Sequence, residues 1–209
     1  MKLLQSFAFV LVLALLASSA ASAQTYNVVT DFSPSSNPNG AWSYGFLFMP
    51  GTSFILYTTA NSSCVTGMSF WALQIGPCSL IPEVGHNDTS GTVCWATDCV
   101  PPDYLVTTPG YNDQLSVTRW TAPTAGVYGI EGAVMGTDCV YPTSTDFHVS
   151  QNNHQLLTVV VDSCDLPTSF NLRRTFAAGD TLDFTTDWGA DGNVFGDGTG
   201  FRATITFVP

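Results

Sequence analysis

This sequence predicts an all-β chain folded as a two-sheet antiparallel β-sandwich with disulfide-bonded loops. Three observations carry that expectation. Short runs rich in β-branched and aromatic residues recur along the chain, separated by Gly, Pro, Asn, Asp and Ser. No segment beyond residue 23 sustains the apolar periodicity of a helix. Six cysteines, an even number, all fall in that same part of the chain.

The first 23 residues read differently. Lys2 precedes an almost unbroken apolar run over 3–16, and Ala21, Ser22 and Ala23 close the segment ahead of Gln24. This is the pattern of a secretory signal peptide, so the mature chain is expected to begin at Gln24. The run is shorter than the roughly 20 residues a membrane-spanning helix requires. No cysteine stands at the cleavage point, and the closing "RATITFVP" reads as a strand. A released, secreted protein without a membrane span is the expectation, with residues 24–209 as one domain. A chain of this size can bury around 70% of its unfolded surface.

Composition excludes several classes. Lys2 is the only lysine, so the chain from 24 onward holds four arginines against 16 acidic residues, a net charge of −12. Affinity for nucleic acid or anionic lipid comes largely from Lys and Arg displacing counterions, so neither is an expected partner. Hydrophobic residues make up 45% and charged residues only 10%, the reverse of a disordered chain. Cys64, Cys78, Cys94, Cys99, Cys139 and Cys164 read as three disulfides in an oxidising compartment. Cys94 and Cys99 lack the spacing and the second close pair of a zinc site. Six cysteines allow 15 connectivities, and sequence-local pairing, 64 with 78, 94 with 99 and 139 with 164, is a guess among them.

Taken in order, the candidate strands are 26–32, 42–48, 54–59, 68–75, 92–97, 115–120, 127–135, 147–150, 155–162, 170–176, 181–186 and 201–208. In "NPNGAWSYG", Pro38 and Gly40 make a turn, after which Trp42, Tyr44 and Phe46 recur at every second residue and share one strand face. Such a row is expected in the core, although an edge position would leave Trp42 and Tyr44 as a binding platform. Between Cys64 and Tyr111 the pattern loosens, and a cysteine- and proline-bearing loop region around 60–111 is expected. "TAPTAG" and the Gly179-Asp180 bend mark two strand junctions. The run 155–162 has little polar face, as in a central strand covered on both sides. Its partner is expected across Asn152-Asn153, residues that tolerate a left-handed hairpin turn. Leu182 and Phe184 alternate with Asp183 and Thr185, and Phe201, Ala203, Ile205 and Phe207 with Arg202, Thr204 and Thr206, so the polar faces should look outward.

The stretches "YNVVTDFSPSSNPNGAWSYGF", "VTRWTAPTAGVYGIEG", "FAAGDTLDF" and "GDGTGFRATITF" resemble a group of secreted bacterial proteins, many bearing a PEP-CTERM sorting tail. Their β-sandwich domain is akin to carbohydrate-binding jelly rolls. The resemblance spans most of the chain beyond 23 and implies a jelly-roll-like sandwich and export. Its motifs mark turns and strands rather than a catalytic site. The sequence departs from the group in lacking the sorting tail and in its cysteine-bearing middle.

The search for chemistry returns little. No G-x-S-x-G nucleophile motif occurs, and His86, His148 and His154 stand in no catalytic context; His148 and His154 are expected to be exposed beside the "QNN" turn. Glycoside hydrolysis needs two carboxyls about 5–10 Å apart, and fourteen aspartates with Glu83 and Glu131 give no spacing signal. "GADGNVFGDGTG" offers oxygens from Asp191, Asn193 and Asp197, a candidate for structural calcium that fails the EF-hand template at Phe195 and Arg202. The simpler reading is a tight strand connection. Trp71, Trp95 and Trp120 are expected as core. Trp188 and Tyr111, beside glycines in expected loops, are the better exposed candidates for stacking on sugar rings. Asn61 and Asn87 open sequons that matter only in a glycosylating host. The reading is a non-catalytic jelly-roll module binding an extracellular ligand, with glycan as the expected class and no cofactor beyond the calcium candidate. The competing classes are a carbohydrate-active hydrolase and a structural matrix or surface component without a small ligand. Oligomeric state is left open.

Overall fold

The computed structural model describes residues 24–73, 76–141 and 143–209; the expected leader lies outside them, as do Gln74 and Ile75 of the expected 68–75 strand. Along the chain the strands are β1 Thr25–Asn27, β2 Trp42–Leu47, β3 Ile55–Leu56, β4 Thr59–Asn61, β5 Met68–Ala72, β6 Glu83–Asn87, β7 Val93–Trp95 and β8 Asp98–Val100. There follow β9 Leu105–Thr108, β10 Leu115–Thr121, β11 Gly126–Gly136, β12 Thr145–Gln151, β13 His154–Val161, β14 Thr168–Phe176, β15 Thr181–Thr186 and β16 Thr199–Val208. One sheet runs β14-β11-β16-β9-β6-β5-β4 with β1 on β16, and the other runs β13-β12-β15-β10-β2-β3. The β7-β8 hairpin stands apart, and the strands pair antiparallel. The fold is the expected all-β sandwich. Among the described residues no helix is long and apolar enough to cross a membrane.

Alternation builds the core. Trp42, Tyr44 and Phe46 lie inward on β2, as do Leu182 and Phe184 on β15 and Phe147 and Val149 on β12. The opposite sheet answers with Tyr128 and Ile130 on β11, Phe170 and Phe176 on β14, and Phe201, Ala203 and Ile205 on β16. Rings meet across the layers, Phe201 at 5.3 Å from Phe147 and 5.5 Å from Phe184, and Trp120 at 4.9 Å from Tyr128. Each such side chain contributes roughly 1.5–3 kcal/mol by leaving water.

Trp42 and Tyr44 are 1% and 0% exposed, which closes the platform reading. A second sequence feature completes their burial: the Asn37 side chain donates to the carbonyls of Tyr44 and Tyr57 at 2.7 and 2.9 Å and accepts from the Tyr44 N–H at 2.8 Å. It stands in for a strand where the backbone has turned away at Gly40, whose φ is +58°.

Three expectations need correction. The cysteine- and proline-bearing region around 60–111 contributes β5, β6 and β9 to the larger sheet, with an apolar cluster of Met68, Phe70, Leu80, Val100 and Val106. The 155–162 run is an edge strand, β13, paired only to β12, with Val160 66% exposed. Leu156, Leu157 and Val159 pack on the core and Val161 is buried in it, while Val160 faces solvent. Asp183 and Thr185 are buried although they face away from the main core, and Arg119 with Phe54 of the β2-β3 connection covers Asp183. There Arg119 forms two 2.7 Å bonds to Asp183 and stacks 4.2 Å above Phe54. A Cβ at Gly45 would strike the Ile55 carbonyl and the Phe54 ring, so only glycine lets this cover approach. Trp95 is half-buried and packs edge-on to Phe70 at the margin of the smaller cluster instead of filling the core.

The three disulfides are Cys64–Cys78, Cys94–Cys99 and Cys139–Cys164, the sequence-local set. The β12-β13 hairpin turns at Asn152 and Asn153, with φ of 50° and 65°, as the left-handed turn requires.

Candidate functional site

The connections β9-β10 and β15-β16 meet at one end of the sandwich. They bring together two residues that the sequence proposes separately. The Trp188 indole N–H donates to the Gly110 carbonyl at 2.7 Å, which ties Trp188 to the turn carrying Tyr111. Tyr111 is 47% exposed and packs edge-on to Phe195, 73% exposed, with centroids 6.4 Å apart. Beside them lies a hollow of about 220 Å³ lined by Asp113, Gln114, Leu115, Asp187, Trp188, Gly189 and Gly192. Trp188 is the ring that lines the hollow, beside carboxylate and amide groups, a combination suited to a polar ligand with an apolar face.

The polar groups of this hollow are fixed from behind. Asp187 accepts from His148 Nε2 at 3.0 Å and from the Gly189 N–H at 2.9 Å. Burial alone would raise its pKa, yet these bonds outweigh it and hold the carboxyl below its ordinary value. His148 is therefore not an exposed turn residue; it sits half-buried in β12, and its Nδ1 bonds Thr158 at 2.9 Å. His154 is exposed at the turn as expected. Asp146, His148 and Asp187 hold ligand atoms within 4.8 Å of one another. The Gln114 side chain accepts from the Asn112 N–H at 3.0 Å and braces the Tyr111 turn.

A second cavity, of about 450 Å³, is also lined by Tyr111, with Phe70, Leu80, Glu83, Trp95, Asp98 and Thr108 among its walls. Two carboxyls face it. Glu83 is buried on β6, and loss of solvent, followed by the Asp98 charge, pushes its pKa up to about 8 despite a 3.5 Å contact from Thr108. Burial raises Asp98 as well, with Asp138 adding to it, against a 2.7 Å bond from Thr137. Sequence reasoning counted Glu83 among the carboxylates without assigning it a site, and did not single out Asp98. The signal available was Glu83 inside the apolar "LIPEVGH", but only the pairing of β6 with β5 and β9 reveals that this position is sealed.

The calcium candidates are split. Asp191 lies exposed on the single turn of 3-10 helix at Gly189–Asp191, and it accepts both the backbone and the side-chain amide of Asn193. Asn193 Oδ1 accepts the Phe195 N–H at 2.8 Å, so Asn193 braces the loop. Asp197 is 1% exposed, and neither of its carboxylate oxygens has a hydrogen-bond partner.

No protein-family model and no curated protein matches the chain. Among solved structures it is similar to the CBM51 of a Clostridium perfringens GH95 protein in complex with methyl-galactose, at 16% identity and a TM-score of 0.37, covering 52% of this chain and 73% of that one. It is also similar to rabbit GITRL, at 18% identity and 0.32, covering 44% and 71%. A family 35 carbohydrate-binding module from an environmental isolate aligns at 13% identity and 0.29, covering 58% and 74%. Likenesses at this level fix neither a family nor a ligand.

Proposed function

We propose that the protein is a secreted, non-catalytic module, residues 24–209 forming one domain after loss of the leader, and that it binds an extracellular glycan through Tyr111, Trp188 and Phe195. The observation that supports this is Trp188 lining a hollow edged by Asp113, Gln114 and Asp187 while its indole holds the turn that carries exposed Tyr111, which packs against exposed Phe195. A pyranose ring presents an apolar face to stack and hydroxyls that carboxylates and amides accept or donate to. Exposed aromatics of this size are otherwise costly to keep on a surface. The acidic surface favours neutral sugars over anionic ones.

Retention on insoluble polysaccharides tests the reading. Wild type should be retained, and Tyr111→Ala or Trp188→Ala should weaken retention about tenfold, as loss of one stacking ring implies. Equal retention of all three proteins would remove this surface from consideration.

The second cavity favours one alternative, a carbohydrate-active hydrolase using Glu83 and Asp98. Two carboxyls share the wall of one cavity with Phe70, Trp95 and Tyr111, and the buried Glu83, which keeps its proton to about pH 8, would be the acid. Release of reducing sugar by wild type and its abolition in Glu83→Gln would establish that reading; retention without release supports the binding module.

A further inference from the structure

Strand β13 leaves one edge of its sheet open. Among the described residues it pairs only with β12. A bare strand edge presents a row of unpaired backbone N–H and C=O groups, which most proteins guard with charge, proline or a bulge. The edge of the larger sheet, β14, is guarded in this way by Arg173 and Arg174. β13 is guarded only at its start, where the pairing with β12 skips Leu156. From Leu157 to Val161 it runs regularly as "LTVVV", without charge, proline or glycine. Leu157, Val159 and Val161 pack on the core, which leaves Thr158 and Val160 exposed on the outer face.

The charges beside this edge are sorted by sign. At the start of β13, next to the hairpin turn, His154, Arg173 and Arg174 line a cavity of about 510 Å³. Arg174 Nε donates to Gln151 Oε1 at 3.2 Å, and Gln151 Nε2 donates to the Thr175 carbonyl at 2.8 Å, which fixes this basic group at the hairpin end. Just past the far end of β13 stand Asp162 and Asp165, both exposed. The edge therefore runs from basic to acidic along its length, in a chain whose net charge of −12 beyond residue 23 otherwise drives copies apart.

We propose that β13 is a self-association edge, pairing antiparallel with β13 of a second copy so that the two smaller sheets become one. A two-fold axis through the pair sets the basic start of each strand against the acidic end of the other, so His154, Arg173 and Arg174 meet Asp162 and Asp165 of the second copy twice. Parallel pairing would bring like charges together. The antiparallel contact satisfies the open backbone groups and takes Val160 out of water. It is smaller than the roughly 1,600 Å² of a standard interface, so the dimer should form in the micromolar range. Thr145 pairs with Val161 and Phe147 with Thr186, which places the end of β13 at the end of the sandwich that carries Trp188. The two Trp188 hollows of a dimer then point in opposite directions. Under the glycan reading such a dimer bridges two chains; the pairing itself does not rest on that reading.

Sedimentation equilibrium of the mature protein from about 1 to 200 μM tests the edge. Wild type should pass from monomer to dimer as concentration rises. Val160→Lys places a charge on the exposed face of the edge and should weaken dimerisation at least about tenfold with the strand signal in circular dichroism unchanged. Arg174→Glu and Asp162→Arg should each weaken it about tenfold, and the two together should recover most of the loss. The charge exchange gives an independent reading should Val160→Lys not fold. Wild type that stays monomeric throughout, a Val160→Lys dimer as tight as wild type, or a double exchange weaker than either single one would each overturn the proposal. No readout involves polysaccharide, so failure here and failure of the glycan reading are separate results.

Discussion

At the scale of single residues, the chain relies on polar side chains placed where only a partner makes them tolerable. Asp183 is 2% exposed and is matched by the bidentate Arg119 guanidinium under Phe54. Removing the acid leaves a half-buried cation without its counterion. Asp183→Ala should therefore cost about 3–5 kcal/mol in chemical denaturation, and Arg119→Ala a comparable amount. A loss below about 1 kcal/mol would class the pair with ordinary surface bridges. The sequence announces Asp183 as a surface residue, because strand alternation tells which side a residue faces and not whether that side is covered. The same gap hides Glu83 and Asp98. Tyr111 and Trp188 each sit next to a glycine in a stretch with no strand pattern, which keeps both out of the core, although only Tyr111 is exposed and Trp188 is half-buried.

Among elements, the disulfides mark where short connections carry load. Cys64–Cys78 spans 14 residues between β4 and β5 on one side and the approach to β6 on the other. Replacing both by alanine should cost about 3 kcal/mol, the loop-closure value for that length, read as a lowered denaturation midpoint without loss of strand signal in circular dichroism. An unchanged midpoint would mean that the apolar cluster of Met68, Phe70 and Val106 holds this end alone. The strands of this region were the least legible of the fold. "EVGHN" and "LVTT" are short and carry a buried glutamate or no strong alternation, so they become strands only by pairing with one another and with β16. The opposite error at β13 has the same origin: an apolar run records that neighbours exist on one side and leaves the other side unspecified.

For the whole molecule, the buried acids set a pH dependence. Glu83 has a folded pKa of about 8 against 4.5 for a free glutamate, so the folded state keeps a proton that the unfolded chain releases. Stability from this group is therefore full below the unfolded value and falls as pH rises towards 8. Asp98 faces Glu83 and shifts in the same direction; Tyr57, buried nearby, is pushed further upward, and Thr108 contributes only a weak hydrogen bond. The midpoint should drop between about pH 5 and pH 8.5, and Glu83→Gln should flatten a substantial part of that slope. Asp197 adds a slope of the same sign, so the comparison between wild type and variant isolates Glu83. Parallel curves for the two proteins would show that Glu83 is ionised throughout.

Local patterning by itself determined the all-β class, the inward rows of β2, β15 and β16, the Asn152-Asn153 hairpin and the pool of six cysteines. The cysteines follow from composition, and the others from a side-chain period of two or from a backbone preference within a few residues. Only the tertiary structure decided which strands lie at the edges, that Trp42 and Tyr44 are sealed while Tyr111, Trp188 and Phe195 gather at one end, and that Glu83, Asp98 and Asp197 lose their water. Burial and convergence are properties of what the rest of the chain brings alongside a residue, and no short window of sequence contains them.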